Sequence, residues 1–194
     1  MREELKVLCK IDHPYIVNYI QSFEDEKYIY LVMQLCDGID MYKYMDKHGK
    51  FSEAEAAHFA KKILEALNHI HSIGVVHRDI KPDNIMIGEH KELKIIDFGL
   101  SKDTELHPRQ LKSIAGSKIF MAPEVIERDS THSTPVDLWS LGITLYVMLS
   151  GSYPFDLKNL DHEIVNTPVI FLPGDWADIS WHAKGLIQGL LEKN

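Results

Sequence analysis

Apolar side chains near the start of the chain recur at spacings that predict one short helix followed by two strands. Leu5 and Leu8 fall at a helical interval, which predicts a helix over residues 1–11. Apolar stretches at residues 16–23 and 28–33 then predict two strands, joined by an acidic turn. We therefore expect a small strand-bearing region at this end of the chain.

The pattern after this region is mainly helical. A short helix is predicted near residues 41–47 and a long one at residues 52–72. Ser52 and Glu55 form a capping box at the start of the long helix, and Gly74 provides its stop signal. The residues of one stripe along this helix are all apolar: Ala56, Phe59, Ile63, Leu67 and Ile70.

A second long segment, residues 135–149, is apolar nearly all round. Such a pattern predicts a helix buried in the centre of a domain. Pro135 suits its first turn, and Gly151 suits its end. A last helix is predicted over residues 180–192.

Composition restricts the classes of function without selecting one. Of the 194 residues, 45% are hydrophobic and 26% are charged, which suffices for one globular domain. The net charge of -8 disfavours nucleic-acid binding, which needs a basic face. The two cysteines, Cys9 and Cys36, form no spaced framework, which indicates free thiols and a cytoplasmic location. No apolar run approaches the ~18 residues of a membrane span, so we expect no membrane association.

The candidate chemistry lies in the run HRDIKPDN, which ends at Asn84, and in the triplet DFG, which begins at Asp97. Phosphoryl transfer requires metal ions on the phosphates, an oriented hydroxyl group and nearby positive charge. The side-chain oxygens of Asn84 and Asp97 are ligands of the kind that Mg²⁺ prefers. Asp79 could accept the proton of the hydroxyl group, and Lys81 could offer charge to the phosphate.

These motifs resemble those of eukaryotic-type Ser/Thr protein kinases. HRDIKPDN resembles the catalytic loop of that family and DFG its metal-binding turn. APE, which ends at Glu124, and DLWSLG, which begins at Asp137, follow in the family's order. The resemblance implies an α+β, bilobal fold, with residues 1–36 as a remnant of the small lobe and hinge. It implies that residues 37–194 form a mainly helical large lobe that lacks its last helices.

The resemblance also implies ATP and Mg²⁺ as cofactors and assigns roles to the residues of the motifs. Asp79 corresponds to the catalytic base, with Lys81 beside it, and Asn84 and Asp97 correspond to the Mg²⁺ ligands. In the family, a lysine at the position of Lys81 accompanies Ser/Thr acceptors. The remaining cofactor contacts implied are the gatekeeper Met33, the hinge residues Gln34 and Cys36, and Asp40 and Met86.

The implied partner is a protein or peptide substrate. Asp40 and Asp83 correspond to positions that can contact a basic residue of such a substrate. The alternative for each is an ordinary solvated loop carboxylate. The sequence leaves the substrate's identity and the oligomeric state open.

Other positions match residues that support or regulate the site in the family. Arg78 implies control by a phosphate, because a guanidinium group binds phosphate through two hydrogen bonds. Ser113 is the best candidate for that phosphate. Ser117 matches a residue that bridges base and lysine, with a solvated loop serine as the alternative. Glu4 matches a residue that pairs with the ATP lysine in the family. His77 and Phe98 are expected to stack with Leu8 and Tyr19. Asp137 is expected to anchor the catalytic loop, and Glu124 is a further structural position.

Two further patterns bear on function. His69 and His71 alternate along a helix, so they do not face one another, and we expect surface or packing roles for them. GLSK and GSYPFD are most similar to the calcium/calmodulin-dependent kinase group, including calcium-dependent kinases. The sequence contains no D-x-D-x-D-G calcium loop, so we expect no calcium sensor in it.

The family carries a glycine-rich loop and an ATP-binding lysine ahead of the helix with Glu4. The given sequence contains neither in that place. Two hypotheses follow: the chain is part of an active Ser/Thr kinase, or it is a catalytically dead fragment that serves as a scaffold or binding module. Because the loop and the lysine are absent, we expect negligible turnover and weak Mg-ATP affinity of the 194 residues alone, which a titration would measure.

Overall fold

The computed structural model of the chain describes residues 2–103, 118–127 and 133–193. It combines helices with short antiparallel strands, which confirms the predicted α+β class. In chain order the elements are α1 (Arg2–Leu8), β1 (Tyr19–Glu24), β2 (Ile29–Met33), β3 (Ile39–Asp40), α2 (Met41–His48), α3 (Glu53–Ser72), β4 (Val75–Val76), β5 (Ile85–Ile87), β6 (Leu93–Ile95), β7 (Lys102–Asp103), α4 (Pro123–Ile126), α5 (Pro135–Ser150), α6 (Leu160–Asn166), α7 (Pro173–Trp176) and α8 (Trp181–Leu190).

The first strand begins later than the sequence pattern predicts. β1 starts at Tyr19 and pairs with β2 in an antiparallel hairpin. Ile16 instead forms a parallel bridge with Ile95, and the Val17 amide donates to the Ile95 carbonyl oxygen at 3.0 Å. The predicted start of this strand, at residue 16, was wrong because an apolar run in the sequence does not show which part of the chain its backbone will pair with. The bridge ties the front of the chain to β6.

β3, β5 and β6 form a three-stranded antiparallel sheet. Asp40 lies opposite Met86 in this sheet, and Ile85 lies opposite Ile95. A 3₁₀ turn, Pro82–Asn84, leads directly into β5. The sheet therefore places the end of the HRDIKPDN run beside the strand that precedes DFG.

The helical core is organised around α5, which is buried nearly all round as predicted. α3 packs against it, and the stripe predicted on α3 is buried along its whole length. The predicted capping box is also present, since the Glu55 amide donates to the Ser52 hydroxyl and the Ser52 amide donates to the Glu55 carboxylate. Gly142 permits the close approach of the end of α8, because a Cβ there would lie 2.7 Å from Leu191 Cδ2.

Helix ends depart from the predicted bounds by a few residues. α1 ends at Leu8, and Ile11 is buried in the turn that follows it. α8 begins at Trp181, with Ser180 as its N-cap, and ends at Leu190. Among the described residues, no helix has both the length and the apolar character needed to span a membrane.

Candidate active site

The loop between β4 and β5 holds Asp79 in a small hydrogen-bonded cluster. Lys81 Nζ and Asn84 Nδ2 each lie 2.8 Å from Asp79 Oδ2, and Asn84 Nδ2 also donates to the Asp79 carbonyl oxygen at 2.8 Å. Asp79 and Asn84 are each only 6% exposed. Polar groups buried to this degree are stable only when hydrogen-bonded. The local contacts therefore orient the Asp79 carboxylate.

Asp97 follows the strand that neighbours this cluster. The Ile96 amide donates to the Asn84 carbonyl oxygen at 2.9 Å, which brings the residue before Asp97 directly against Asn84. Asp97 Oδ1 accepts from the Gly99 amide at 3.1 Å, so the carboxylate sits in the turn after β6. The structure therefore places Asp97 one residue beyond the backbone contact with Asn84, whose side chain binds Asp79.

The donor set fits Mg²⁺. The Asn84 amide nitrogen is committed to Asp79, so Asn84 offers its side-chain oxygen, and Asp97 offers a carboxylate. In the described part of the chain, no three or more His, Cys, Asp and Glu side chains converge as a metal cage. A pair of oxygen donors without a full cage suits an ion that keeps waters and shares substrate phosphates.

Backbone strain marks both sides of the cluster. Arg78 has φ 69° and Asp97 has φ 63°, both in the left-handed region that side-chain-bearing residues seldom adopt. Each such residue costs about 1 kcal/mol or more and persists only where its surroundings enforce it. Lys91, in a turn away from the cluster, is the other described non-glycine residue of this kind. The strain at Arg78 and Asp97 accompanies a loop held by many specific contacts.

Asp137, from the first turn of α5, supplies the contacts that hold Arg78. Its Oδ1 accepts from the Arg78 amide at 2.7 Å, and its Oδ2 accepts from the His77 amide at 2.9 Å. A third donor, His71 Nε2, lies 2.8 Å from Oδ2. Asp137 is fully buried, and three donors satisfy its two oxygens.

His71 is a functional neighbour that the sequence reasoning missed. The expectation of an ordinary surface or packing role is wrong for it, since its ring binds the Asp137 carboxylate, which holds the backbone at His77 and Arg78. The ring of His69 does have a packing role, because it stacks on His13 at 5.1 Å. Position on α3 alone does not distinguish the two histidines, because the partner of His71 lies 66 residues away.

His77 is a buried, neutral ring. Its Nδ1 accepts from the Asp79 amide at 3.3 Å, so the proton is on Nε2, which lies 3.3 Å from the Ile96 carbonyl oxygen. Complete burial lowers the pKa of His77 and so favours the neutral form. Phe98 packs edge-on against this ring at 4.6 Å. Leu8 is buried in the same hydrophobic core as Phe98, and Tyr19 is partly buried against that core.

A cavity of about 490 Å³ lies beside this cluster. Most of the predicted cofactor contacts line it, together with apolar residues that the sequence reasoning did not single out. Its walls are formed by Glu4, Val17, Met33, Gln34, Leu35, Cys36, Met86, Ile96 and Asp97. Burial raises the pKa of the Cys36 thiol at this wall. Asp40 is not among the lining residues.

Asp40 instead caps a helix. Its Oδ1 accepts from the Lys43 amide at 2.8 Å at the start of α2, and its Oδ2 lies 2.9 Å from Lys43 Nζ. The alternative of a solvated loop carboxylate is therefore wrong for Asp40. The same alternative, a solvated loop carboxylate, remains open for Asp83, whose side chain is exposed. The sequence reasoning missed the cap, although an Asp directly before a helix is a recognised signal.

The remaining predicted positions are spread around this site. Arg78 lies beside Met121 and Ala122, and burial lowers the pKa of its guanidinium group. Glu124, on α4, borders a separate cavity between α5 and the end of α8. Ser113 and Ser117 lie outside the described residues.

Comparison with known proteins gives consistent matches over most or all of the chain. The family described as "Protein kinase domain" matches residues 1–194. Sperm motility kinase 2B of Mus musculus is 40% identical over 158 residues, which cover 81% of this chain and 32% of that protein. Calcium-dependent protein kinase 24 of Arabidopsis thaliana is 37% identical over 202 residues, which cover 100% of this chain and 34% of that protein.

Another relative is matched over a larger share of its length. The calcium/calmodulin-dependent protein kinase of Metarhizium anisopliae is 36% identical over 194 residues, which cover 97% of this chain and 50% of that protein. The chain thus spans between about a third and a half of the length of these relatives.

Proposed function

Because this chain belongs to the protein kinase family, and by family to its serine/threonine kinases, we propose that it transfers the γ-phosphoryl group of ATP to serine or threonine hydroxyl groups of protein substrates. The observation that supports this best is the cluster in which Lys81 and Asn84 both donate to Asp79 Oδ2, with Asp97 next to the residue bonded to Asn84. Phosphoryl transfer depends mostly on positioning and charge, and this cluster supplies both.

Asp79 is the proposed acceptor of the substrate's hydroxyl proton. Two donors hold its Oδ2, and within the described part of the chain its Oδ1 accepts no hydrogen bond. Oδ1 can therefore orient the hydroxyl group and accept its proton as the new bond to phosphorus forms. The Lys81 ammonium group, 2.8 Å from Oδ2, places positive charge where the transferred phosphoryl group carries negative charge.

Asn84 and Asp97 are the proposed ligands of Mg²⁺. When bound, Mg²⁺ neutralises charge on the phosphates of ATP. Asn84 can contribute its side-chain oxygen because its nitrogen is held by Asp79, and Asp97 is held in its turn by the Gly99 amide. The same contacts orient both side chains.

The cavity beside the cluster is the proposed nucleotide site. Its apolar walls suit the adenine ring, and the backbone of residues 34–36 borders the space that adenine would occupy. In this proposal residues 1–36 are the small-lobe and hinge part of a bilobal kinase fold, and residues 37–194 are the large-lobe part. Cys9 and Cys36 are unpaired thiols, and we propose a cytoplasmic location.

Substitution of two aspartates, in the domain completed with the glycine-rich loop and the ATP-binding lysine, tests the proposal in one series. Asp79→Asn should lower the rate of phosphoryl transfer to a serine peptide at least about 100-fold, the smaller effect expected for loss of a general base. It should leave the Mg-ATP dissociation constant within about twofold, because Asp79 does not bind the metal in this proposal. Asp97→Asn should weaken Mg-ATP binding roughly tenfold through the lost carboxylate ligand.

Asp178→Asn makes the same chemical change at an exposed position between α7 and α8, and it is the matched control. Calorimetric titration measures Mg-ATP binding, and radiolabel from ATP measures transfer. Mg-ATP binding without any transfer by the unsubstituted, completed domain would support a binding module in place of an enzyme. Unchanged transfer in Asp79→Asn would contradict the role of Asp79.

A further inference from the structure

Two histidine rings, those of His13 and His69, join the loop between α1 and β1 to helix α3. The ring centroids are 5.1 Å apart and the ring planes are inclined by only 27°, so the rings are stacked. The ring of Tyr15 packs edge-on against His13 at 5.4 Å. We call His13 and His69 the histidine pair, and we call residues 9–18 the α1–β1 loop.

The hydrogen bond of His13 defines its protonation state in this arrangement. Its Nδ1 accepts from the Tyr15 amide at 3.2 Å, so the proton of the neutral ring is on Nε2. A second proton would have to be on Nδ1, where it would meet the N–H group of Tyr15. Protonation of His13 therefore removes the hydrogen bond that fixes the ring within its own loop.

His69 offers no compensation on the α3 side of the contact. Its Nε2 is buried and has no hydrogen-bond partner in the described part of the chain. A charged His69 ring would therefore bury an N–H group without an acceptor, which is costly. Two charged rings at this separation would also repel each other. The stacked geometry thus suits two neutral rings.

The charged groups around His13 come from its own loop, from α3 and from β6. Burial, and after it the proximity of His69, lowers the pKa of His13, and Lys94 in β6 lowers it further. Glu65, one turn before His69 on α3, and Asp12 in the loop act in the opposite direction but do not cancel the effect. Below pH 6.5, the ordinary value, the folded chain therefore binds fewer protons at His13 than the unfolded chain does.

We propose that the histidine pair is a pH-sensitive contact, which holds the α1–β1 loop against α3 while both rings are neutral and releases the loop when His13 gains a proton. The backbone of the loop is bound to β6: the Val17 amide donates to the Ile95 carbonyl oxygen at 3.0 Å, and the Ile95 amide donates to the Tyr15 carbonyl oxygen at 2.8 Å. Val17 also lines the cavity beside the candidate active site. Release of the loop therefore loosens one wall of that cavity.

Hydrogen exchange of the backbone amides measures the attachment of the loop. Mass spectrometry follows exchange in the 194-residue chain from about pH 7.5 to about pH 5.5, with rates corrected for the intrinsic pH dependence of exchange. Protection of the Val17 and Ile95 amides should fall about two- to tenfold over this range, as expected for the loss of one hydrogen bond. Because the pKa of His13 is lowered, the protection is fully present above pH 6.5 and declines as the pH falls.

Two variants separate ionisation from stacking. In His13→Asn the side-chain oxygen can replace Nδ1 as the acceptor for the Tyr15 amide, but the side chain does not titrate, so protection should not depend on pH. His69→Phe retains a ring on which a charged imidazole can stack, so the fall should be smaller than in the wild type. The matched control is His90→Asn, in the exposed turn between β5 and β6, and it should behave as the wild type does.

Two results would overturn the inference. One is constant protection of the loop in the wild-type chain. The other is an equal fall in the wild type and in His13→Asn, which would assign the pH dependence to another group, such as the buried ring of His77. The amides of α5 distinguish release of the loop from unfolding of the whole chain, because they should stay protected throughout. A parallel loss of protection in α5 would contradict a local release.

Discussion

Asp137 and Asp40 perform the same elementary task in two different environments. Each carboxylate accepts backbone N–H groups that have no partner of their own at a chain turn or helix start. Asp137 is fully buried and binds three donors. Asp40 lies at the surface and shares its second oxygen with an exposed lysine.

The difference shows how one residue type supports both rigidity and adjustment. A buried carboxylate has no water to replace a lost partner, so its contacts hold strained backbone such as that of Arg78 in place. A carboxylate at the surface exchanges one cation for another at little cost. The geometry of the loop at His77 and Arg78 therefore rests on Asp137, whereas the ion pair of Asp40 can change without loss of the fold.

The largest expected effect comes from truncation of the buried carboxylate. Asp137→Ala leaves the amides of His77 and Arg78 and the ring of His71 without an acceptor, and it should lower the free energy of unfolding by about 3–5 kcal/mol. Asp40→Ala should lower it by about 1 kcal/mol, the usual value of an N-cap. Urea denaturation of both variants measures the two losses. Equal losses would remove the distinction between the two environments.

An intermediate effect is expected from the third donor to Asp137. His71→Phe keeps a ring on α3 but removes the donor 2.8 Å from Asp137 Oδ2, and it should cost about 1.5–3 kcal/mol of stability, as for hydrogen bonds to charged groups. The control is His69→Phe, two residues away. His69 Nε2 is buried without a partner among the described residues, so this variant should be near neutral. A loss in His69→Phe equal to that in His71→Phe would indicate ring packing as the common cause.

The smallest expected effect concerns an exposed carboxylate that titrates. The Lys91 ammonium group, at 2.7 Å, and the Ser52 hydroxyl and amide lower the pKa of Glu55 to about 2. Because this folded value lies below the ordinary value of 4.5, the stabilisation is fully present above pH 5 and declines as the pH falls toward 2.

The stability difference between wild type and Glu55→Gln should therefore be modest at pH 7 and smaller at pH 3.5. Denaturation at a series of pH values measures it, and a difference that grows on acidification would contradict the assignment. Asp137 provides the contrast, since removal of its carboxylate should be strongly destabilising at pH 7.

Prediction from the sequence succeeded where the cause was local. The start of α3 follows from Ser52 and Glu55, three residues apart, and the burial of α5 follows from its apolar residues alone. It failed at the start of β1, because Ile16 pairs with Ile95 and not with β2. It also missed His71, since nothing within one turn of α3 indicates a bond to α5.

By itself the sequence determined helices α1, α2, α3, α5 and α8 to within a few residues, the motif residues Asp79, Asn84 and Asp97, and the family to which these motifs belong, whereas the short helices α4, α6 and α7 were not predicted. Periodicity, caps and motif spacing act over a few residues, so they can be read along the chain. The tertiary structure alone decided that Asp137 is buried against the loop that it holds. Asp137 reaches His77 across 60 residues of chain, whereas Lys43 lies three residues from Asp40 and pairs with it at the start of α2. The contacts of Asp137 depend on where separate elements pack, and burial sets the strength of such polar contacts.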